Sequence, residues 1–242
     1  MILQARIGSS RLPGKVLKQI AGRPLIQFQI NRIRKSKLLN NLVVAIPIET
    51  ENDPLEKYLR SENIDIYRGA ENDVLSRFEG VISKTTAEVI IRSTADCPLF
   101  MPEILDEMLE NFYQSDLDYL SNSISPTYPD GLDIEIFSKN AFNILLKTNP
   151  SKLQREHVTL GFYDGTNSFK TQNFTNKIDL SMERWTVDYQ EDFDFVKKIF
   201  EKSGQYVTFH EVLQLLEDYP EIRNSKTSEF RNIALSGKEP NA

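Results

Sequence analysis

The residues best suited to chemistry stand at the start of the chain. Arg6, Gly8, Ser9, Ser10, Arg11, Pro13, Gly14 and Lys15 follow directly on a short β-prone apolar run, Ile2 to Ala5. Glycines let backbone N–H groups approach an anion closely, serine hydroxyls add donors, and three cations neutralise several negative charges. That combination holds a polyphosphate. Ser9 and Ser10 also read as plain turn residues. The stretch is not a P-loop, which has four residues between its glycines and Ser or Thr after its lysine. Here five residues separate Gly8 from Gly14, and Val16 follows Lys15.

Carboxylates supply the other half of such a site. Asp96 follows the apolar run Val89 to Arg92, and Asp188 follows Arg184-Trp-Thr-Val. A carboxylate at the end of a strand, beside bound phosphates, is a natural magnesium ligand. Each also reads as a helix cap, with Asp192 a second candidate for the cap after Asp188. In Tyr128-Pro-Asp-Gly-Leu-Asp-Ile-Glu135, the acids Asp130, Asp133 and Glu135 suit sugar hydroxyls, an amino group or a shared metal. Asp130-Gly131 is equally a turn. Glu135 alternates with Ile134 and Ile136, which gives it one face of a strand. Arg155 and His157 suit an acceptor carboxylate, and Arg184 suits an anion or a structural partner for Asp188. Arg77 reads as a nucleotide contact or as a surface cation. Cys97 has no evident base and reads as a small buried filler, and His210 as a surface residue.

Charge placement favours a compact anionic ligand. Met1 to Ile48 contains nine Lys or Arg and no acid, whereas the remaining 20 bases share the rest of the chain with all 35 acids. The cations sit in a Gly/Ser/Pro loop with little aromatic interleaving, which argues against nucleic acid. Arg32, Arg34, Lys35 and Lys37 read as the solvated face of a helix. No apolar run approaches the ~20 residues of a membrane span. No signal peptide is recognisable, and the cytoplasm is the expected location. Cys97 has no disulfide partner within the chain, and no zinc-site spacing is present.

Strand and helix alternate along the first half. Strands are expected near 2–5, 42–46, 64–67 and 89–92. Helices are expected from Arg23-Pro24 to about 37, over 55–61 behind Asp53-Pro54, from Val74 behind Asp73 to about 84, and over 102–114. This is the pattern of a doubly wound, mostly parallel α/β sheet. Later come strands near 119–121 and 132–137, a helix near 139–148, a loop-and-hairpin excursion over 149–183, a return to the sheet at 185–187, and helices over 192–203 and 209–216. One domain over about 1–218 and a frayed tail over 219–242 are expected.

Gln4-Ala-Arg-Ile-Gly-Ser-Ser-Arg-Leu-Pro-Gly-Lys15 resembles the nucleotide-binding signature of the sugar-acid cytidylyltransferases, the group of CMP-octulosonate synthetase and acylneuraminate cytidylyltransferase. Arg68-Gly-Ala-Glu-Asn-Asp-Val-Leu-Ser-Arg77, Thr94-Ala-Asp-Cys-Pro98, Tyr128 to Glu135, Arg155-Glu-His-Val-Thr159 and Arg184 to Asp188 match in the same order. Residues 1 to about 200 most resemble the spore-coat polysaccharide protein F branch. The resemblance implies a Rossmann-like fold and a magnesium-dependent transfer of CMP from CTP to a sugar acid or related sugar. It implies metal on Asp96 and Asp188, and catalytic roles for Lys15 and Arg11. It places the nucleotide on Ala5, Arg6, Gly8, Ser9, Ser10, Arg11, Lys15, Arg68, Ser76, Arg77 and Thr94. It places the acceptor on Tyr128, Asp130, Asp133, Glu135, Arg155, His157 and Arg184. Thr94 stands where the octulosonate enzymes carry Gln beside the base. A homodimer through the 149–183 region is implied by resemblance alone. Two other readings stay open: a glycosyltransferase using Asp116-Leu-Asp118 as its metal motif, and a non-catalytic nucleotide-binding subunit.

Overall fold

A computed structural model describes residues 1–226. The chain begins in its central sheet. Strand β1 (Ile2–Gln4) is followed by a small antiparallel ribbon of β2 (Gln19–Ile20) and β3 (Arg23–Pro24), then helix α1 (Leu25–Ile33). Next come β4 (Val43–Pro47), α2 (Asp53–Ser61), β5 (Asp65–Gly69), α3 (Val74–Ile82), β6 (Val89–Thr94) and α4 (Pro102–Gln114). The second half holds β7 (Tyr119–Ser121), β8 (Glu135–Ser138), α5 (Lys139–Lys147), α6 (Lys152–Glu156), α7 (Leu160–Tyr163), β9 (Thr171–Asn173), α8 (Gln190–Ser203) and α9 (Phe209–Asp218).

Seven strands form one sheet in the order β5-β4-β1-β6-β8-β7-β9. Only β8 runs antiparallel to its neighbours. The expected doubly wound, mostly parallel α/β architecture is therefore observed. Alternate residues of β1 enter different cores. Leu3 joins the apolar cluster with Ile26, Ile30, Leu105 and Ile199, and Ile2 joins the one with Phe78, Phe137 and Phe142. Both faces being covered explains why β4 reads as a continuous apolar run. From β1 the chain builds outward through β4 to β5 and then crosses back to place β6 on the other side. That reversal opens a crevice at the carboxyl ends of β1 and β6, where ligands gather in such sheets.

Several local expectations need correction. Arg23-Pro24 is strand β3, and α1 begins at Leu25, with Pro24 extended at φ −60°, ψ 148°. Arg32 is not on a solvated face. It is 2% exposed and donates to the carbonyls of Phe100 (2.6 Å), Gln205 (2.8 Å) and Val207 (2.8 Å), acceptors that make its burial tolerable. The 149–183 segment forms α6, α7 and the edge strand β9, which pairs parallel with β7 rather than folding into a hairpin. Residues 185–187 do not rejoin the sheet. They run beside it, with Trp185 N–H donating to the Asp130 carbonyl at 2.7 Å and Val187 N–H to the Asp96 carbonyl at 2.8 Å.

Gly131 makes that close approach possible. Its φ is +103°, and a Cβ there would lie 2.4 Å from the Thr186 nitrogen. At the start of the expected tail, Pro220–Ile222 forms a 3-10 turn with Ile222 buried, and residues 227–242 lie outside the described residues.

Candidate active site

The crevice is built around one ammonium group. Lys15 opens a 3-10 turn behind Gly14, whose φ of +68° swings the chain back from the loop. Its Nζ donates to Asp96 Oδ2 at 3.0 Å, to the Val187 carbonyl at 2.7 Å and to Asp188 Oδ1 at 2.9 Å. Asp96 is delivered by the end of β6, and Thr94 on that strand donates its hydroxyl to Asp96 Oδ1 at 2.6 Å. Arg11 meets Asp188 Oδ1 at 2.9 Å. Burial pulls the Lys15 ammonium down, but Asp96 and Asp188 together hold it above its ordinary value. Burial likewise pushes Asp96 up, and Lys15 with the Thr94 hydroxyl holds it below the usual carboxylate range.

Asp188 is held from behind. Arg184 donates to Asp188 Oδ2 at 2.9 Å, to Asp130 Oδ2 at 3.0 Å and to Asp192 Oδ1 at 3.0 Å. Asp192, fully buried in the first turn of α8, accepts the N–H groups of Asp188 (2.8 Å) and Tyr189 (2.9 Å). Asp192 thus ties down the helix start and leaves the Asp188 side chain facing Lys15. Asn224, from beyond α9, donates to Asp192 Oδ1 at 2.8 Å.

A divalent cation fits this donor chemistry. Asp96 and Asp188 both place oxygens within 3.0 Å of one cationic nitrogen. Two carboxylates completed by phosphate oxygens and water are a usual magnesium environment. Among the described residues no three His, Cys, Asp or Glu side chains form a protein-only metal cage.

The basic loop lies across the crevice mouth. Ala5 is buried, and its N–H donates to Ala45 at 3.1 Å. Asn52 Oδ1 accepts the Ile7 N–H at 2.9 Å and pins the loop. Gly8 packs tightly, since a Cβ there would lie 2.8 Å from Glu51 Oε1. Ser9 Oγ accepts from Leu12 N–H at 3.4 Å, a turn contact. Arg6 is exposed, 3.8 Å from Glu71, and Ser10 is exposed as well.

The other expected residues divide. Ser76 lies in the first turn of α3, where its N–H donates to Oδ1 of the capping Asp73 at 3.0 Å. Arg77 is buried near the loop. Arg68 lies apart at the sheet edge, engaged with Asp53, Glu56 and three carbonyls. Arg155 is held by Asp73 at 2.8 and 2.5 Å. Tyr128 packs in the core between Phe174 and Phe209, and Asp133 is half-buried before β8.

Glu135 is buried and takes hydrogen bonds from Arg92, Tyr119 (2.6 Å) and Thr159. His157 lies half-buried beside this cluster, where burial lowers its pKa. Between His157 and Thr159, Val158 is fully buried with φ +48°, a strained conformation for a β-branched residue. Asn52, Arg92 and Asn224 were not anticipated, and Asp192 was expected only as a helix cap. Only Asp192, four residues after Asp188 at a helix start, carried a signal in the sequence.

A family model described as Cytidylyltransferase matches residues 1–229. The chain belongs to that family. As a cytidylyltransferase it is a nucleotidyltransferase enzyme. It is 31% identical over 239 residues to the spore coat polysaccharide biosynthesis protein SpsF of Bacillus subtilis, spanning 94% of this chain and 98% of that one. It is 28% identical over 130 residues, 51% of each chain, to the 3-deoxy-manno-octulosonate cytidylyltransferase of Bdellovibrio bacteriovorus. The solved structure of a cytidylyltransferase from Leptospira borgpetersenii superposes with a TM-score of 0.88 at 28% identity, covering 93% of this chain and 96% of that one.

Asp116-Leu-Asp118 does not form a second metal motif at this crevice. Asp118 immediately precedes β7, which runs in the direction of β6, so the motif sits at the opposite edge of the sheet from Asp96. There Asp116 pairs with Lys170, and Asp118 accepts the Lys170 N–H at 2.9 Å.

Proposed function

We propose that this cytidylyltransferase transfers CMP from CTP to the hydroxyl of a sugar acid or related sugar, with magnesium, in surface polysaccharide or glycan synthesis. The observation that carries the proposal is the Lys15 ammonium set between Asp96 and Asp188 beside a basic Gly/Ser loop. The acceptor hydroxyl releases its proton to water as its oxygen forms a bond to the α-phosphorus, the bond to the β-phosphate oxygen breaks, and pyrophosphate leaves with the displaced electron pair. Charge grows on the leaving group, and positioned cations are the main means of lowering that barrier.

Arg6, Arg11 and the loop N–H groups would bind the triphosphate. Lys15 would steady the charge as pyrophosphate departs. Asp96 and Asp188 would hold the magnesium ion, which screens the phosphates and acidifies the acceptor hydroxyl when bound. Thr94 orients Asp96, and Arg184 with Asp192 orients Asp188. Asp133, Glu135 and His157 flank the acceptor side.

The resemblance to SpsF supports a polysaccharide role, and that to the octulosonate enzyme supports a sugar-acid acceptor. A cytoplasmic homodimer belongs to the same proposal. Ile178 and Met182, 67% and 51% exposed in the 149–183 segment, support a protein contact there. Pyrophosphate release, measured with each nucleoside triphosphate, magnesium and a panel of sugar acids and amino sugars, tests the reading. Release is expected with CTP and one acceptor class. Release only with another triphosphate would discard cytidine.

A further inference from the structure

Past α9 the chain turns back to the crevice. The 3-10 turn over Pro220–Ile222 packs on α8 and α9, and Ile222 is buried. Arg223 then pairs with Glu183, and Asn224 enters the segment that carries Asp188. Asn224 Nδ2 donates to the Arg184 carbonyl at 3.1 Å and to Asp192 Oδ1 at 2.8 Å, 40 and 32 positions back along the chain. Its Oδ1 accepts the Lys226 N–H at 3.1 Å. An asparagine amide carries two N–H donors and one carbonyl oxygen, so the whole group is engaged here. An ionised aspartate offers no donor, serine offers one, and glutamine carries its amide one methylene further out.

The two acceptors are the supports of Asp188. Arg184 donates to Asp188 Oδ2 at 2.9 Å, and Asp192 Oδ2 accepts the Asp188 N–H at 2.8 Å. Asn224 bridges the backbone of the first support and the carboxylate of the second, so it fixes one against the other. The turn closed by its Oδ1 sends Lys226 back over the Tyr189 ring, with Nζ 4.3 Å from the ring centre. The Arg11 guanidinium stands 5.1 Å from the same centre, and Arg11 itself meets Asp188 Oδ1 at 2.9 Å. Residues 223–226 therefore grip the Asp188 segment from behind and touch the basic loop through one aromatic ring. A carboxylate held in place loses less freedom when it takes up a cation, so its supports raise metal affinity.

We propose that residues 223–226 form a clasp that sets the orientation of Asp188, with Asn224 as its positioning residue. The inference rests on magnesium and CTP meeting at Asp96 and Asp188, and adds that the site is completed from beyond the last helix. Asn224 acts through Arg184 and Asp192 rather than on a ligand. Its effect is therefore on how much magnesium the CTP complex requires.

Equilibrium dialysis of labelled CTP against the full chain, at stepped magnesium concentrations, tests the assignment in the native protein, Asn224→Ala and Asn224→Ser. Thermal melting of each protein shows that it is folded at the dialysis temperature. Asn224→Ala is expected to need about 10-fold more magnesium for half-maximal CTP binding, the low end of the range for removing an outer partner of a metal ligand. Asn224→Ser, which keeps one donor, is expected to fall between Asn224→Ala and the native chain. A folded Asn224→Ala with the native magnesium requirement would overturn the clasp. If Asn224→Ala does not fold, Asn224→Ser decides by the same criterion. Failure of both to fold would also overturn it, because Asn224 would then serve general stability. A native chain whose CTP binding is indifferent to magnesium overturns the parent reading, whatever the variants do.

Discussion

Lys15 Nζ and Asp188 Oδ1 lie 2.9 Å apart although 173 positions separate them in the chain. The contact joins the first loop after β1 to the segment before α8, and Asp96 closes it from β6. Three distant stretches thus meet in one polar cluster where the sheet changes direction. Neutralising either carboxylate is expected to lower turnover by about 10²–10³, the usual cost of removing one preorganised charge. Asp96→Asn and Asp188→Asn should leave the circular dichroism spectrum native. Pyrophosphate release under saturating CTP checks the first expectation and thermal melting the second.

Arg184 satisfies three carboxylates while its own side chain is 10% exposed. Breaking a buried ion pair by removing one partner costs about 3–5 kcal/mol, because the charges left behind stay buried. Arg184→Met is therefore expected to unfold at markedly lower denaturant concentration than the native protein. A loss of activity with unchanged stability would instead place Arg184 on a ligand.

Asp192 gives the stability a specific dependence on pH. Burial pushes its pKa up, but bonds from Arg184 and Asn224 and the Asp188 N–H outweigh that and hold it below its ordinary 3.8. The unfolded chain then takes up the proton before the folded one. The contribution is complete above the ordinary carboxylate range and is lost as pH falls from about 4 through the lower folded value. Melting temperatures from pH 6 down to pH 3 should fall in that window, and less steeply for Asp192→Asn relative to its own value at pH 6.

Gly131→Ala tests the fit between the Asp130 turn and residues 185–186. With φ +103° and a Thr186 nitrogen 2.4 Å from the new Cβ, the substitution should cost about 1–3 kcal/mol in strain and displace the segment carrying Asp188. Chemical denaturation measures the cost, and a matching fall in kcat would show the displacement reaching the site.

Much of this arrangement was legible in the sequence, for identifiable reasons. The alternation of apolar runs with capped helices anticipated β1, β4, β6, α3 and α4, since those signals are local. The cations of the loop and the carboxylates after β6 and before α8 were visible as residue types at strand ends. What stayed hidden depended on distant partners. Arg32 looked like any helix-surface cation, because only folding brings the carbonyls of Phe100 and Val207 to it. Residues 185–187 look like a strand because they are extended and apolar, yet their bonds go to Asp130 and Asp96 rather than to a ladder. Asn52 acts through one long-range hydrogen bond and Asn224 through two, and such contacts leave no periodic trace.

Titrating CTP into the native protein and into Asp188→Asn, each with magnesium and with a chelator, addresses the Lys15–Asp96–Asp188 centre most directly. The account requires CTP binding that magnesium strengthens in the native protein, with that strengthening lost in Asp188→Asn while the fold persists. CTP affinity that is the same in all four titrations would contradict it.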